Sequence, residues 1–191
     1  MTLANRLTLF RIFLSFLFMS LLLRQGLAFR FSALSVFLIA SLTDLYDGRL
    51  ARFKNEVTPF GKVMDPIADK ILVIAAFAVF LQLDLIPAWM LVLVLSRELL
   101  VTGVRLFALA QGQLLEAGRG GKHKTATQMG GILWVLAVLV VRELPAHLLT
   151  QRNVWVFEML NGSVFWVLFL TVWVTVCSGL LYLWRHRSLL V

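Results

Sequence analysis

The stretches DLYDGRLAR (residues 44–52) and GKVMDPIADK (residues 61–70) place four aspartates where two apolar segments end and begin. The four residues are Asp44, Asp47, Asp65 and Asp69. A carboxylate is costly to bury at the edge of a bilayer, so ionisable residues inside membrane segments indicate a functional site by default. The two stretches therefore indicate one acidic site built from two neighbouring segments.

The composition is that of an integral membrane protein. The chain has 191 residues, of which 60% are hydrophobic, and a water-soluble domain would contain fewer. The net charge is +8, from 18 Lys and Arg against 10 Asp and Glu, as expected for loops that face anionic lipid rather than for a protein that binds nucleic acid. The single cysteine, Cys177, excludes an intrachain disulfide. We expect one domain over residues 1–191.

Six segments are apolar enough to cross a bilayer, since a spanning helix requires roughly 20 such residues. The predicted fold is an all-α bundle with spans at about 7–23, 31–51, 60–81, 87–110, 126–141 and 164–184. The stretch 154–160 either lies at the membrane interface or lengthens the last helix. The first segment has no small-residue cleavage site after it, so we expect a retained helix.

Lysine and arginine in the loops predict the orientation. The loops before the first span, after the second, after the fourth and after the last carry more basic residues than those on the other side. Both termini are therefore predicted to be cytoplasmic, with the aspartates at the cytoplasmic face.

Helical geometry predicts that the acidic residues converge. At 100° per residue, one side of the second helix carries two acids, two small residues and a cation: Asp44, Asp47, Gly48, Ala51 and Arg52. On the third helix Gly61, Asp65 and Asp69 recur every four residues and share a face. Thr58 followed by Pro59 is typical of a helix N-terminus. The short connection predicts adjacent, antiparallel helices.

Four converging carboxylates need protons or cations to offset their repulsion. A ligand set made only of oxygen atoms suits Mg²⁺, Mn²⁺ or Ca²⁺ rather than zinc. One or two ions would fit, and two ions form a clamp suited to phosphoryl transfer. The alternative is that the aspartates are helix-end charges that face water.

Residues 44–69 read D-x-x-D-G-x-x-A-R, eight residues, then G-x-x-x-D-x-x-x-D, and this resembles the signature of the CDP-alcohol phosphatidyltransferases. The resemblance implies a CDP-linked lipid donor, one or two ions of Mg²⁺ or Mn²⁺, and an alcohol acceptor that replaces CMP. It also implies that Asp44, Asp47 and Asp65 bind metal. Asp69 would bind metal or act as the base that takes the acceptor's hydroxyl proton. The CDP pocket would be lined by Asp44, Gly48, Ala51 and Arg52.

A basic pocket is predicted beside the acidic one. Within SRELLVTGVR (residues 96–105), Arg97 and Arg105 lie about 80° apart on the helix, so both can face one cavity, and Glu98 can pair with one of them. The following stretch GRGGKHKTATQ, interpreted as a loop, adds Lys122 and Lys124. Guanidinium groups suit a phosphate. The alternatives are a structural ion pair and a positive cluster at the cytoplasmic face.

These two runs resemble the branch of the family whose acceptor is glycerol 3-phosphate, which Arg97, Arg105, Lys122 and Lys124 would bind. The run N-x-L-T-x-x-R, with Asn5, Thr8 and Arg11, fits the same branch, and Asn5 and Thr8 would join the CDP site. The resemblance covers about residues 5 to 130. It implies CDP-diacylglycerol as donor, a homodimer, and a bacterial cytoplasmic (inner) membrane location with the active site facing the cytoplasm.

Three alternatives stay open at this point. Phosphatidylglycerol, as in cardiolipin synthesis, would use the aspartates without a site for a free phosphate monoester. An inositol phosphate would use both pockets. A cation transporter would use the aspartates as an ion path, but no inverted repeat is visible and the acids cluster at one face.

Overall fold

The protein folds into six α-helices in a computed structural model. Backbone is described for residues 3–54, 59–111, 119–144, 154–185 and 187, and side chains for 8–43, 70–108, 111, 125–144, 155, 157–185 and 187. The helices are α1 (Leu3–Leu22), α2 (Leu27–Lys54), α3 (Pro59–Gln82), α4 (Ala88–Ala110), α5 (Arg119–Arg142) and α6 (Val154–Arg185). Every described element is therefore helical, as the sequence predicts.

The helices differ from the predicted apolar segments mainly at polar ends. Helix α5 begins at Arg119 and α6 at Val154, well before the apolar runs at 126 and 164. The prediction that Lys122 and Lys124 lie in a loop is wrong, because both belong to the first turns of α5. Hydropathy detects only the part of a helix that suits hydrocarbon, whereas backbone hydrogen bonding continues into polar sequence. Residues 154–160 lengthen the last helix.

Local sequence explains where two helices begin and end. Helix α3 begins at Pro59, whose fixed φ suits the first helical position, whereas Thr58 lies outside the described residues. The same helix ends where Asp84 adopts a left-handed φ of 56°. The amides of Asp84 and Leu85 then donate to the carbonyls of Leu81 and Phe80, at 3.1 and 2.9 Å, which is the Schellman pattern of helix termination.

The helices pack as two groups joined by contacts of α2 with α5 and of α3 with α4 and α5. Helix α1 contacts α2 and α3, and α6 contacts α4 and α5; α2 also contacts α5, and α3 contacts α4 and α5. Aromatic pairs fill the interior: the rings of Phe18 and Phe37 lie 5.4 Å apart and those of Phe77 and Phe80 lie 6.1 Å apart. Since α2 and α3 also contact each other, the predicted adjacency of the two aspartate-bearing helices is confirmed.

The outer surface is apolar rather than polar. Trp166, Trp173 and Trp184 are 67%, 61% and 68% exposed, as expected for lipid-facing residues. Within the described side chains, Thr125–Arg142 and Phe157–Arg185 are long and apolar enough to cross a membrane, and three shorter apolar helical segments accompany them. The six-span arrangement and the cytoplasmic position of both termini stay predictions.

An ion pair ties the α1–α2 turn to the end of α5. Arg30 Nε lies 3.5 Å from Glu143 Oε1, and the two side chains are 8% and 27% exposed. The amide of Gly26, at a φ of 112°, donates to Glu143 Oε2 at 3.2 Å, and Arg30 also donates to the carbonyl of Leu22. The residue before Glu143 makes a contact with α6: Arg142 Nε donates to Asn161 Oδ1 at 2.6 Å.

Replacing Glu143 with glutamine should destabilise the protein, because Arg30 would lose its carboxylate partner while remaining buried. We expect a loss of about 1 kcal/mol, or about 2–4 °C in Tm, in a thermal unfolding measurement in detergent. Glu158→Gln is the matched control, since Glu158 is exposed on α6. Equal Tm values for the two variants would contradict a stabilising role for the ion pair.

Candidate functional site

The aspartate signature lies on two helices that contact each other. Asp44, Asp47, Gly48, Ala51 and Arg52 belong to α2, and Gly61, Asp65 and Asp69 belong to α3. All eight residues lie outside the part of the chain whose side chains the structure describes, so the convergence of the aspartates stays a prediction. Among the described side chains, no three of His, Cys, Asp and Glu come together as a metal site would require. The divalent-metal site stays a prediction from the donor chemistry of the sequence.

Helix α1 presents buried polar residues where it packs against these two helices. Thr8 is 3% exposed and Arg11 is 3% exposed, and the hydroxyl of Ser15 donates to the carbonyl of Arg11 at 2.9 Å. The side chain of Asn5 lies outside the described set. Because α1 contacts both α2 and α3, Thr8 belongs to the interior of the helix group that carries the predicted CDP site.

A buried carboxylate joins α3 to α4. Glu98 is 2% exposed; its Oε2 lies 2.9 Å from Lys70 Nζ and its Oε1 lies 3.2 Å from Arg97 Nη1. Lys70 is the residue that follows Asp69 in α3. One carboxylate is thus shared by two cations, which leaves the three side chains with a formal surplus of one positive charge. Lys70 is 32% exposed, so the positive end of the cluster is open to solvent or to an anion.

Arg97 also packs against α6. Its Nη2 donates to the hydroxyl of Ser178 at 3.3 Å, and its aliphatic stem lies on Gly179. A Cβ at residue 179 would come within 2.5 Å of Arg97 Cγ and 3.1 Å of Nε. The guanidinium group is therefore held between α4 and α6, and its side chain is 11% exposed.

The other residues of the predicted phosphate site are less buried or outside the described side chains. Arg105 lies two turns beyond Arg97 on α4 and is exposed. Lys122 and Lys124 are in the first turns of α5, and their side chains are not among those described. The structure therefore gives Arg97 a defined environment, and a common phosphate site for all four residues stays a prediction.

Sequence reasoning missed Lys70 and the contribution of α6. Lys70 is a cation inside an apolar helix, and that alone predicts a buried partner. Gly179 and Ser178 follow an apolar run with no motif, so nothing in the sequence pairs them with Arg97. Gln128, in the run G-K-x-K-T-x-x-Q, is 3% exposed, and its Nε2 makes no hydrogen bond within the described part of the chain.

The aspartate signature thus lies on two contacting helices, and the Lys70–Glu98–Arg97 cluster joins the second of them to α4. Residues 1–184 match the sequence profile of the CDP-alcohol phosphatidyltransferases, and the chain belongs to that family. The predicted family resemblance is thereby confirmed. The match extends through α6, well beyond the segment in which the sequence offered motifs.

Several curated relatives are named as enzymes that make phosphatidylglycerophosphate. The chain is 44% identical over 115 residues to the CDP-diacylglycerol–glycerol-3-phosphate 3-phosphatidyltransferase of Bacillus subtilis, covering 60% of this chain and 58% of that protein. It is 40% identical over 152 residues to the probable phosphatidylglycerophosphate synthase of Mycobacterium tuberculosis, covering 73% and 72%. The Rickettsia felis transferase with the same name as the Bacillus protein is 36% identical over 140 residues, covering 73% and 75%. The matched segment is thus less than two thirds of the Bacillus protein.

Charge balance in the Lys70–Glu98–Arg97 cluster can be tested by unfolding in detergent. Glu98→Gln leaves two cations facing a neutral amide, so we expect a loss of about 1.5–3 kcal/mol. Lys70→Met should cost less, because Arg97 still neutralises Glu98. The double variant Lys70→Met/Glu98→Gln should recover part of the loss seen in Glu98→Gln. Strictly additive losses would show that the pair does not interact.

Proposed function

We propose that the protein transfers a phosphatidyl group from CDP-diacylglycerol to glycerol 3-phosphate, giving phosphatidylglycerophosphate and CMP. The observation that carries this proposal is the cluster in which Lys70, the residue after Asp69 in α3, and Arg97 of α4 share the buried carboxylate of Glu98. It combines a surplus positive charge, suited to an acceptor that carries a phosphate, with the acidic signature of a CDP-alcohol phosphatidyltransferase. The names of the relatives support the same acceptor.

Asp44, Asp47, Asp65 and Asp69 are proposed to hold one or two divalent ions, Mg²⁺ or Mn²⁺. Such ions, when bound, neutralise charge on the diphosphate as CMP departs. The oxygen-only donor set and the family's general use of divalent cations support this assignment. Asp69 takes the proton from the primary hydroxyl of glycerol 3-phosphate, and the hydroxyl oxygen attacks the phosphorus on the lipid side.

The donor and acceptor occupy different residues in this proposal. The cytidine diphosphate lies against Gly48 and Ala51, where small side chains allow close approach, with Arg52, Asp44, Asn5 and Thr8 as polar partners. The burial of Thr8 in α1, which contacts both α2 and α3, supports its place in that pocket. The acceptor phosphate binds Arg97, Arg105, Lys122 and Lys124.

The predicted setting is a bacterial cytoplasmic (inner) membrane, with a homodimer of six-span subunits and the active site facing the cytoplasm. Loop charge supports this orientation, and the exposed tryptophans of α6 support contact with lipid. The substrates agree with a site at the boundary between membrane and water, because glycerol 3-phosphate and CMP are water-soluble and the donor is a membrane lipid.

Phosphatidylglycerol is the alternative acceptor. It carries an anionic phosphodiester but not the free phosphate monoester of glycerol 3-phosphate, and so offers less negative charge to the Lys70–Glu98–Arg97 cluster. An inositol phosphate would satisfy that charge equally well, so the two phosphate-bearing acceptors must be separated by experiment. A cation transporter would release no CMP.

The activity is tested with purified protein in detergent, CDP-diacylglycerol and a panel of the three acceptors, with CMP release as the readout. We expect CMP release with glycerol 3-phosphate and Mg²⁺ or Mn²⁺, loss of release in excess chelator, and recovery when metal is restored. Asp69→Asn is the inactive control, with turnover lower by on the order of 10²-fold or more. Release with phosphatidylglycerol alone, or full activity in chelator, would make the proposal wrong.

Arg105→Ala tests the acceptor pocket separately. Removing one charge-assisted contact to phosphate should cost about 1.5–3 kcal/mol, or roughly 10–150-fold in kcat/KM for glycerol 3-phosphate. The KM for CDP-diacylglycerol should change little in steady-state kinetics. A raised KM for the CDP-lipid with an unchanged KM for glycerol 3-phosphate would mean that the two pockets are assigned the wrong way round.

A further inference from the structure

Helix α6 carries no motif, yet its described contacts fix an arginine of the proposed acceptor site. We propose that Gly179, Ser178 and Glu98 are positioning residues that orient the guanidinium group of Arg97, so that the last helix sets the affinity for the acceptor. This inference rests on the proposed function of Arg97 and assigns a role to a part of the chain in which the sequence offered none.

Gly179 leaves the space that the Cγ atom of Arg97 occupies. The atom nearest a hypothetical Cβ at residue 179 is Arg97 Cγ, at 2.5 Å, and Cδ follows at 3.4 Å. Because χ1 alone sets the position of Cγ relative to the backbone, a methyl group cannot be accommodated by moving only the far end of the side chain. Either Arg97 changes rotamer or α4 and α6 separate, and both outcomes move the guanidinium group.

Glu98 and Ser178 fix how the guanidinium plane is turned. The first accepts a hydrogen bond from Nη1 at 3.2 Å, and the second accepts one from Nη2 at 3.3 Å. The Nε–H is buried against Gly179 without a hydrogen-bond partner among the described atoms. Of the five N–H groups of an arginine, two on the terminal nitrogens remain beyond these contacts. A phosphate can accept hydrogen bonds from two guanidinium N–H groups.

The surrounding chemistry keeps the arrangement rigid. The Glu98 carboxylate that orients Nη1 is itself held by Lys70 at 2.9 Å, and the Ser178 hydroxyl donates to the carbonyl of Thr175 at 2.9 Å, which leaves its lone pair for Arg97. An arginine fixed from two helices loses less conformational entropy when it binds an anion. Disturbing its position should therefore weaken acceptor binding without changing the donor site on α2.

Gly179→Ala is the primary test, with Gly162→Ala as the matched control on the same helix, because a Cβ at residue 162 meets nothing within 4 Å. We expect Gly179→Ala to raise the KM for glycerol 3-phosphate by on the order of 10- to 10²-fold, as for other small misplacements of a binding group. The KM for CDP-diacylglycerol should stay near that of the wild type. Gly162→Ala should match the wild type in both constants.

Ser178 supplies a second test if Gly179→Ala does not fold. Ser178→Ala should raise the same KM by roughly 3- to 10-fold, as the loss of one hydrogen bond worth about 0.5–1.5 kcal/mol implies. Ser178→Thr, which keeps the hydroxyl, should restore it. A purely structural role would lower Tm and the amount of active enzyme without changing either KM.

Equal changes in both KM values, or no change in either, would overturn the inference. The wild-type assay separates this failure from that of the proposed function. If the wild type releases CMP only with another acceptor, the proposed function is wrong, and the KM for that acceptor becomes the readout for the same variants. A wild type that releases no CMP with any acceptor would overturn both.

Discussion

The arrangement of α3, α4 and α6 depends on the ion pairs that the Glu98 carboxylate makes with Lys70 and Arg97. The carboxylate is almost completely buried, so its charge must be compensated within the protein. Lys70 on α3 and Arg97 on α4 provide that compensation, and Arg97 carries the connection on to Ser178 of α6. A hydrophobic contact at this position would tolerate sliding between helices, whereas hydrogen-bonded charges tolerate little.

Helix α6 is also held near its other end. Arg142, the last residue of α5, donates to Asn161, and its neighbour Glu143 pairs with Arg30 of α2. Between the two ends, Gly131 of α5 lies against Thr171 of α6 so closely that a Cβ would overlap the threonine hydroxyl. Small residues allow such close approach where lipid gives helices no hydrophobic reason to associate. Helix α6 is thus held against α4 and α5 by contacts along its length.

Sequence alone predicted the helices and the family because both leave local signals. Apolar length gave six helices, Pro59 marked the start of α3, and the spacing from Asp44 to Asp69 identified the family. Hydropathy could not find the polar first turns of α5, so Lys122 and Lys124 were assigned to a loop. The link between Arg97 and Gly179 could not be predicted either, because it joins residues far apart in the chain and a glycine carries no side-chain chemistry to recognise. Glu98 was expected to pair with an arginine, but its sharing with Lys70 depends on how α3 and α4 pack.

The length of α6 connects the protein to the physical state of its membrane. The apolar part, Phe157–Arg185, has 29 residues and is therefore about 43 Å long, whereas a bilayer's hydrocarbon core measures about 30 Å. A helix with this mismatch tilts or extends its ends into the headgroups, and here Trp184, with Arg187 stacked 5.6 Å from its ring centre, is suited to that interfacial layer. Because α6 is held by its neighbours, we expect a change in acyl-chain length to tilt the bundle together with α6 rather than α6 alone. Membrane thickness would then act on the helix that Arg97 contacts.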